Sequence, residues 1–425
     1  MRRLAEGLFR RESGRLVSML TGILGLPRLQ LAEDSVQEAM LRALQLWPDR
    51  GVPEHPQAWL LRTARNLAID TIRREANFRD KQPAYIAHLA QCLPSPPGPT
   101  VDTPLMEGEI RDHRLRLMFA CCHPALPTDQ QAALALKTLC GLGQGEMAAA
   151  FLTTETAIAK RLTRARQRLR DAGVAFEIPA GPELRPRLDG VLGTLYLLFN
   201  EGYKVSAGTR LIRADLCAEA IRLARVLAGH PVAGTPRVHA LLALMLLNTA
   251  RLPARTDTAG ALVPLDRQDR ARWDRGLISQ GMRHLELAAA GDEASDYHLQ
   301  AAISACHCLA PSDAGTDWRR ILTLYDQLLA IRPSPVFELN RTVAEARVHG
   351  PERAIQRLKV LRDHAGLGDY YLTHTLLGEF EWQRSHLGAA AAHFQRALQL
   401  AEVAPERDWI RGKLERCLPG ETSPP

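Results

Sequence analysis

Residues 143–170, GQGEMAAAFLTTETAIAKRLTRARQRLR, decide the reading of this chain. They scan as a short helix, a tight turn and a second helix dense in cations. From Lys160 to Arg170 that second helix carries Lys160, Arg161, Arg164, Arg166, Arg168 and Arg170, with no carboxylate between them. Uncompensated charge of this density calls for an anionic partner, and a helix presented by a helix-turn-helix is shaped for the DNA major groove. The competing reading is a solvated basic helix on an ordinary surface.

The charge of the whole chain points the same way. Residues 1–175 hold 24 Lys and Arg against 18 Asp and Glu, whereas the remaining 250 hold 30 against 29. The excess behind the net charge of +7 therefore sits in the part that contains the basic helix, which is where a polyanion should bind. With 46% apolar and 24% charged residues the chain is globular material, long enough at 425 residues for several domains. The longest apolar run, Val238 to Ala250, is too short to span a bilayer, so no membrane partner is expected. The start, MRRLAEGLFRRESGRL, has no apolar signal core. A cytoplasmic location with reduced thiols is the expectation.

Two cysteine clusters offer metal ligands: Cys121-Cys122-His123 with Cys140, and Cys306-His307-Cys308. Neither has paired C-x-x-C spacing or a clear second pair of ligands, and buried small hydrophobes are the preferred reading. Gly-rich phosphate loops after a strand, HExxH and a nucleophile elbow are all missing from the sequence, so neither an enzyme nor a cofactor is expected.

Apolar residues recur at three and four nearly everywhere and β-branched runs are rare, so the fold class is all-α. Pro-rich stretches at Pro83–Pro104 and Ile178–Pro186 punctuate it. They delimit an N-terminal helical unit (1–80), a flexible linker (81–110), the helix-turn-helix unit (111–177) and a long helical region (187–425). In the first unit a helix over Ala32–Trp47 has the apolar stripe Val36, Ala39, Met40, Ala43, Leu44 and Trp47. Asp34, Gln37, Glu38, Leu41 and Gln45 line its opposite side. A second helix over Gln57–Arg74 buries Leu60, Leu61, Ala64, Leu67, Ala68 and Ile72 and presents Arg62, Arg65, Asn66, Arg73 and Arg74.

These segments carry a resemblance. DSVQEAMLRALQLWP (34–48) resembles the part of bacterial extracytoplasmic-function (ECF) sigma factors that docks on the clamp helices of RNA polymerase. AWLLRTARNLAIDTIRRE (58–75) resembles the adjoining part that opens the promoter −10 element. The run from Leu126 to Arg170 resembles the last sigma domain, whose helix-turn-helix reads the −35 element. The resemblance implies a region 2 domain, a Pro-rich linker and a region 4 domain, with core RNA polymerase (β′ clamp helices and β flap) and promoter DNA as partners. It assigns Asp34, Gln37, Glu38 and Leu41 to polymerase. The loop Asp49–Pro56 falls where an extruded −10 base is captured, and Arg50, His55, Trp59, Arg62, Asn66, Arg73 and Arg74 would serve the −10 element. Trp59 also suits a core anchor, and Asp70 a neutraliser of a neighbouring Arg. For the −35 element, Thr156, Lys160 and Arg161 would reach bases while Arg164, Arg166 and Arg168 clamp phosphates. Glu155 and Ala157 depart from a usual groove-facing start.

The C-terminal 250 residues exceed an ordinary ECF sigma factor. LLGEFEWQRSHLGAAAAHFQRALQLAEVAP (376–405) places Leu377-Gly378, Ala390, Phe394 and Ala397 in the register of a tetratricopeptide (TPR) repeat, and Ala354 of GPERAIQRLKVL stands 36 residues before Ala390. With LYLLFNEGYKVSAG (195–208) and DWRRILTLYDQLLAIRPSPVFELNR (317–341), this resembles the ECF group with a long TPR-like extension. Asn200, Glu201 and Tyr203 form a candidate extension site, or else a satisfied helix terminus. An unidentified protein partner for the extension is expected. The functional expectation is a sigma factor regulated by its own extension. The alternatives are a helix-turn-helix regulator acting without polymerase, and a TPR scaffold.

Overall fold

The structure is a computed structural model that describes residues 2–25, 28–77, 110, 112–172, 179, 181–291, 294–364 and 367–418. The Pro83–Pro104 stretch lies outside the described residues. Regular structure among the described residues is helical, apart from isolated bridges. The chain forms two compact units, Met1–Leu198 with Gly229–Ala233, and Phe199–Ala228 with Gly234–Pro425.

The first unit begins with α1 (Arg2–Leu24), α2 (Leu29–Arg50) and α3 (Pro56–Asn77). Their shared core contains Leu16, Leu20, Val36, Ala39, Ala43, Leu60, Ala64 and Ala68, which recur at helical spacing and are all buried. Gly51, at φ +78, stops α2, and Pro56 supplies the first residue of α3, where a missing N–H costs nothing. α4 (His113–Cys121), α5 (Thr128–Cys140), α6 (Gln144–Ala150) and α7 (Glu155–Asp171) follow. The Asp112 carboxylate caps α4 by accepting from the backbone N–H of Arg114 and Leu115. Gly141 takes the left-handed conformation that ends α5, and the Thr154 hydroxyl accepts from Ala157 to start α7.

The sequence reading treats these two halves as separate units joined by a tether. The structure packs them together. A Cβ added at Gly14 of α1 would lie 2.1 Å from the Leu139 carbonyl oxygen of α5, so only glycine allows this approach. Ser18 Oγ donates to the His113 carbonyl at 2.6 Å. Glu33 of α2, which is buried, accepts from Thr138 Oγ1 at 2.7 Å and from Arg166 Nη2 at 2.7 Å. The first part of α8 (Arg185–Tyr203) joins the same unit. Gly190 faces Gln131 and Cys122 with no room for a Cβ, and Arg187 donates to the Phe119 carbonyl. Burial pushes the Cys122 thiol up to about 12, and the Cys121 thiol rises for the same reason.

The second unit is a helical array. It comprises α9 (Ala214–Ala228), α10 (Pro236–Thr249), α11 (Arg275–Ala288), α12 (Asp296–Leu309), α13 (Trp318–Ile331), α14 (Pro335–His349), α15 (Pro351–His364), α16 (Tyr371–Gln383), α17 (Leu387–Leu400) and α18 (Ala404–Cys417). From α9 onward each helix packs against the next. The apolar run at Val238–Ala250 is α10, buried on nearly every side by its neighbours. No helix among the described residues is long and apolar enough to cross a membrane. The TPR-like register is realised in α16 and α17: Gly378 lies flat against the Phe394 ring, and Leu377, Ala390 and Ala397 are fully buried. The first loop of the unit meets its last helix. Gly208 bridges Val403, and Ala404 N–H donates to the Gly208 carbonyl. Lys204 Nζ sits 3.8 Å from Glu406 and 4.7 Å above the Tyr371 ring.

His307 of α12 is 8% exposed, and burial, with Arg251, Arg270 and Arg347 nearby, lowers its pKa to about 3. The unfolded chain, with an ordinary imidazole near 6.5, therefore takes up this proton first as pH falls. The stability His307 contributes is whole above that value and is lost through the window down to about 3. By pH 5 the loss should be on the order of 2 kcal/mol. His307→Gln should accordingly shrink the difference between urea midpoints at pH 7 and pH 5; an unchanged difference would refute the assignment.

Candidate nucleic-acid interface

α7 is amphipathic by construction. Ile158, Leu162, Ala165 and Leu169, spaced four, three and four, are buried against the rest of the helix-turn-helix. The opposite stripe exposes Thr156, Lys160, Thr163, Arg164 and Gln167. Glu155 does not belong to that stripe's work. It sits in the first turn, where the helix dipole favours an anion, with its Oε1 close over Gly145 of α6.

The cations of α7 fall into two classes. Lys160 and Arg164 are exposed and have no hydrogen-bond or ion-pair partner among the described residues. The others are engaged within the unit. Arg161 Nε is 3.0 Å from Asp129, and its guanidinium lies 5.0 Å from the centre of the Phe151 ring. Arg166 is held by Glu33. Arg168 reaches Gln130 at 3.3 Å, and Arg170 reaches Gln167 at 2.6 Å. Thr163 and Gln167, which the sequence reading passed over, also lie on this exposed stripe, each bonded within α7, Thr163 to the Ala159 carbonyl and Gln167 to Asp171. Their spacing of three and seven from Lys160 was the available signal.

On α2, Asp34, Gln37, Glu38 and Leu41 are exposed together, and Leu41 leaves 54% of its surface open. Gln30 donates to Asp34 at 2.8 Å and Arg42 to Glu38 at 3.1 Å, both one turn along the same helix. The four side chains form one exposed, acidic patch that includes the open Leu41. On α3, Arg62, Asn66, Asp70, Arg73 and Arg74 are exposed, as are Arg50 and His55 before it. Trp59 is half-buried with its ring edge-on to Trp47 at 5.6 Å, a packing role. Arg74 donates to the Asp70 carbonyl, leaving the Asp70 carboxylate in solvent.

The extension residues are placed differently. Glu201 is buried and accepts from the backbone N–H and the hydroxyl of Ser206. Tyr203 stacks on Phe199 and lies under the Arg255 guanidinium at 4.0 Å, while Asn200 gives its carbonyl to Lys204 N–H. Gly202 is required by close approach: a Cβ would meet Cys217 N at 2.7 Å. Among the described residues no group of three His, Cys, Asp or Glu is arranged to hold a metal ion.

Comparison with known proteins places this geometry in a lineage. Residues 8–78 match Sigma-70 region 2 and residues 116–169 match Sigma-70, region 4. Residues 187–289 match a family of unknown function, DUF6596. An uncharacterised protein of Rhizobium meliloti (strain 1021) is 40% identical over 387 residues, covering 91% of this chain and 90% of that protein. No solved structure matches. The two sigma regions lie in order on the helices that carry the acidic α2 face and the basic α7 stripe, and the further family follows directly. The chain belongs to the ECF sigma factors that bear a C-terminal helical extension, and it is an alternative sigma subunit of RNA polymerase.

Proposed function

We propose that the protein docks on the β′ clamp helices through Asp34, Gln37, Glu38 and Leu41 and reads the −35 element through the Lys160–Arg164 stripe. The −10 strand runs along Arg62, Asn66, Arg73 and Arg74, and the β flap meets the region 4 part. The extension regulates initiation, and the first part of α8, which leads into it, packs against Cys122 and Gln131 within the first unit. The observation that carries the reading is the split of α7. Two adjacent cations stand free on the face opposite the buried stripe while their neighbours are tied down. A merely solvated basic helix gives no reason for that division.

Transcription from a mapped promoter with purified core enzyme tests it. Lys160→Ala and Arg164→Ala should each cost roughly 1–3 kcal/mol of promoter affinity, with relaxed preference at one base for whichever touches a base edge. Arg168→Ala, which removes a cation already held by Gln130, should change affinity and salt dependence far less than either. Wild-type transcription by the Lys160→Ala, Arg164→Ala double variant would overturn the assignment. DNA binding that is lost equally without any need for core enzyme would favour a regulator that acts alone.

A further inference from the structure

The extension contains buried polar groups that its own fold leaves unmatched, gathered around Trp273. Arg270, 8% exposed, is fully engaged: it donates to the carbonyls of His307 and Ala310 and to Thr316 Oγ1, with its guanidinium 4.7 Å from the Trp273 ring centre. Arg347, from the last turn of α14, is paired with Asp313 at 3.0 Å. Arg251 is different. It follows α10, is 9% exposed, and stacks its guanidinium 5.6 Å from the centre of the same Trp273 ring. Its Nε is buried and has no hydrogen-bond partner, and no carboxylate pairs with the side chain among the described residues. Beside it, Trp273 Nε1, His307 Nδ1 and Asp313 Oδ1 are also buried without a partner.

The balance of charge sharpens the point. Three guanidinium groups converge here and one carboxylate, Asp313, answers them. The imidazole of His307 stays neutral because burial and the three arginines oppose its protonation. A largely buried arginine without a counter-charge, its Nε unmatched, carries a desolvation cost, and orphaned donors beside it add to that cost. Water would satisfy the N–H groups but leave the charge. An oxyanion satisfies both, through the charge-assisted bonds for which the arginine fork is suited.

We infer that Arg251, with Trp273 and His307 beside it, forms a binding site for an oxyanion, the carboxylate or phosphate group of a soluble ligand, inside the extension. Asp313 Oδ1 accepts from a hydroxyl or water next to that group. Arg251, Arg270 and Trp273 lie within the matched family of unknown function, while His307, Asp313 and Arg347 lie beyond it. The site gives the extension a chemical input. Its coupling to transcription rests on the function proposed above, but its existence does not.

The test therefore reads binding alone, on the full chain. Thermal denaturation is followed with inorganic phosphate or acetate, each against chloride at equal ionic strength. A saturable rise in the wild-type midpoint is expected with phosphate for a phosphoryl site, with acetate for a carboxylate site, and with both for a shared one. Arg251→Met should raise the half-saturating concentration at least tenfold, and Arg396→Ala, exposed on α17, should leave it unchanged. Should Arg251→Met lose its helical circular dichroism, Arg251→Lys retains the charge without the fork and should also bind at least tenfold more weakly. The inference falls if neither anion moves the wild-type midpoint beyond chloride, or if the folded Arg251 variant responds as wild type does.

Discussion

The double substitution Asp34→Arg, Glu38→Arg is expected to abolish binding to core RNA polymerase while leaving the chain folded. Neither side chain belongs to the apolar stripe of α2, and both are exposed. What the fold loses is the hydrogen bond from Gln30 to Asp34 and the Arg42–Glu38 pair, both solvent-exposed contacts one turn apart. An exposed pair of this kind contributes a few tenths of a kcal/mol. At a polymerase interface, each reversed charge instead meets a like charge. With about 2 kcal/mol for each reversal, affinity should fall roughly a thousandfold. Co-elution of the variant with core enzyme at wild-type levels would sink the docking assignment. Glu33 provides the internal contrast. It lies on the same helix but is buried against Thr138 and Arg166, so Glu33→Gln should disturb the packing of the first unit without removing the acidic face of α2.

Gly14→Leu should have the largest structural effect of any single change in the first unit. The Leu139 carbonyl oxygen stands 2.1 Å from where the new Cβ must go. Backbone cannot rotate aside as a side chain can, so α1 and α5 must part. Overpacking of this kind costs about 1–3 kcal/mol or more. With it should go the Ser18–His113 bond and both contacts of Glu33, because all of them cross the same seam. The cores within each half do not use Gly14 and should persist, so helical content is expected to hold. Small-angle scattering should show a larger radius of gyration than wild type. Arg166, released from Glu33, should add about one phosphate contact to DNA binding and steepen its salt slope by close to one. An unchanged radius together with an unchanged slope would show that the seam tolerates the side chain and does not hold Arg166.

The sequence by itself determined the elements, the order of the two sigma regions and the outward faces of their helices. Those follow from periodicity, which is a local property. Ile158, Leu162, Ala165 and Leu169 must share a side of any helix they form, as must Val36, Ala39 and Ala43, and the structure buries both sets. The helical class and the Gly378–Phe394 packing of the TPR-like pair were legible for the same reason. Tertiary structure alone decided which charges are free. Arg161 and Arg166 look the same as Lys160 and Arg164 in a string of letters, yet the first two are held by Asp129 and by Glu33. Glu33 is 133 residues from Arg166 and 105 from Thr138, and no spacing rule reaches that far. The cluster around Trp273 was hidden likewise, because its members come from separate helices and loops between Arg251 and Arg347. Helical period is written into neighbouring residues, whereas the pairing of a buried charge depends on which distant segment the fold brings beside it.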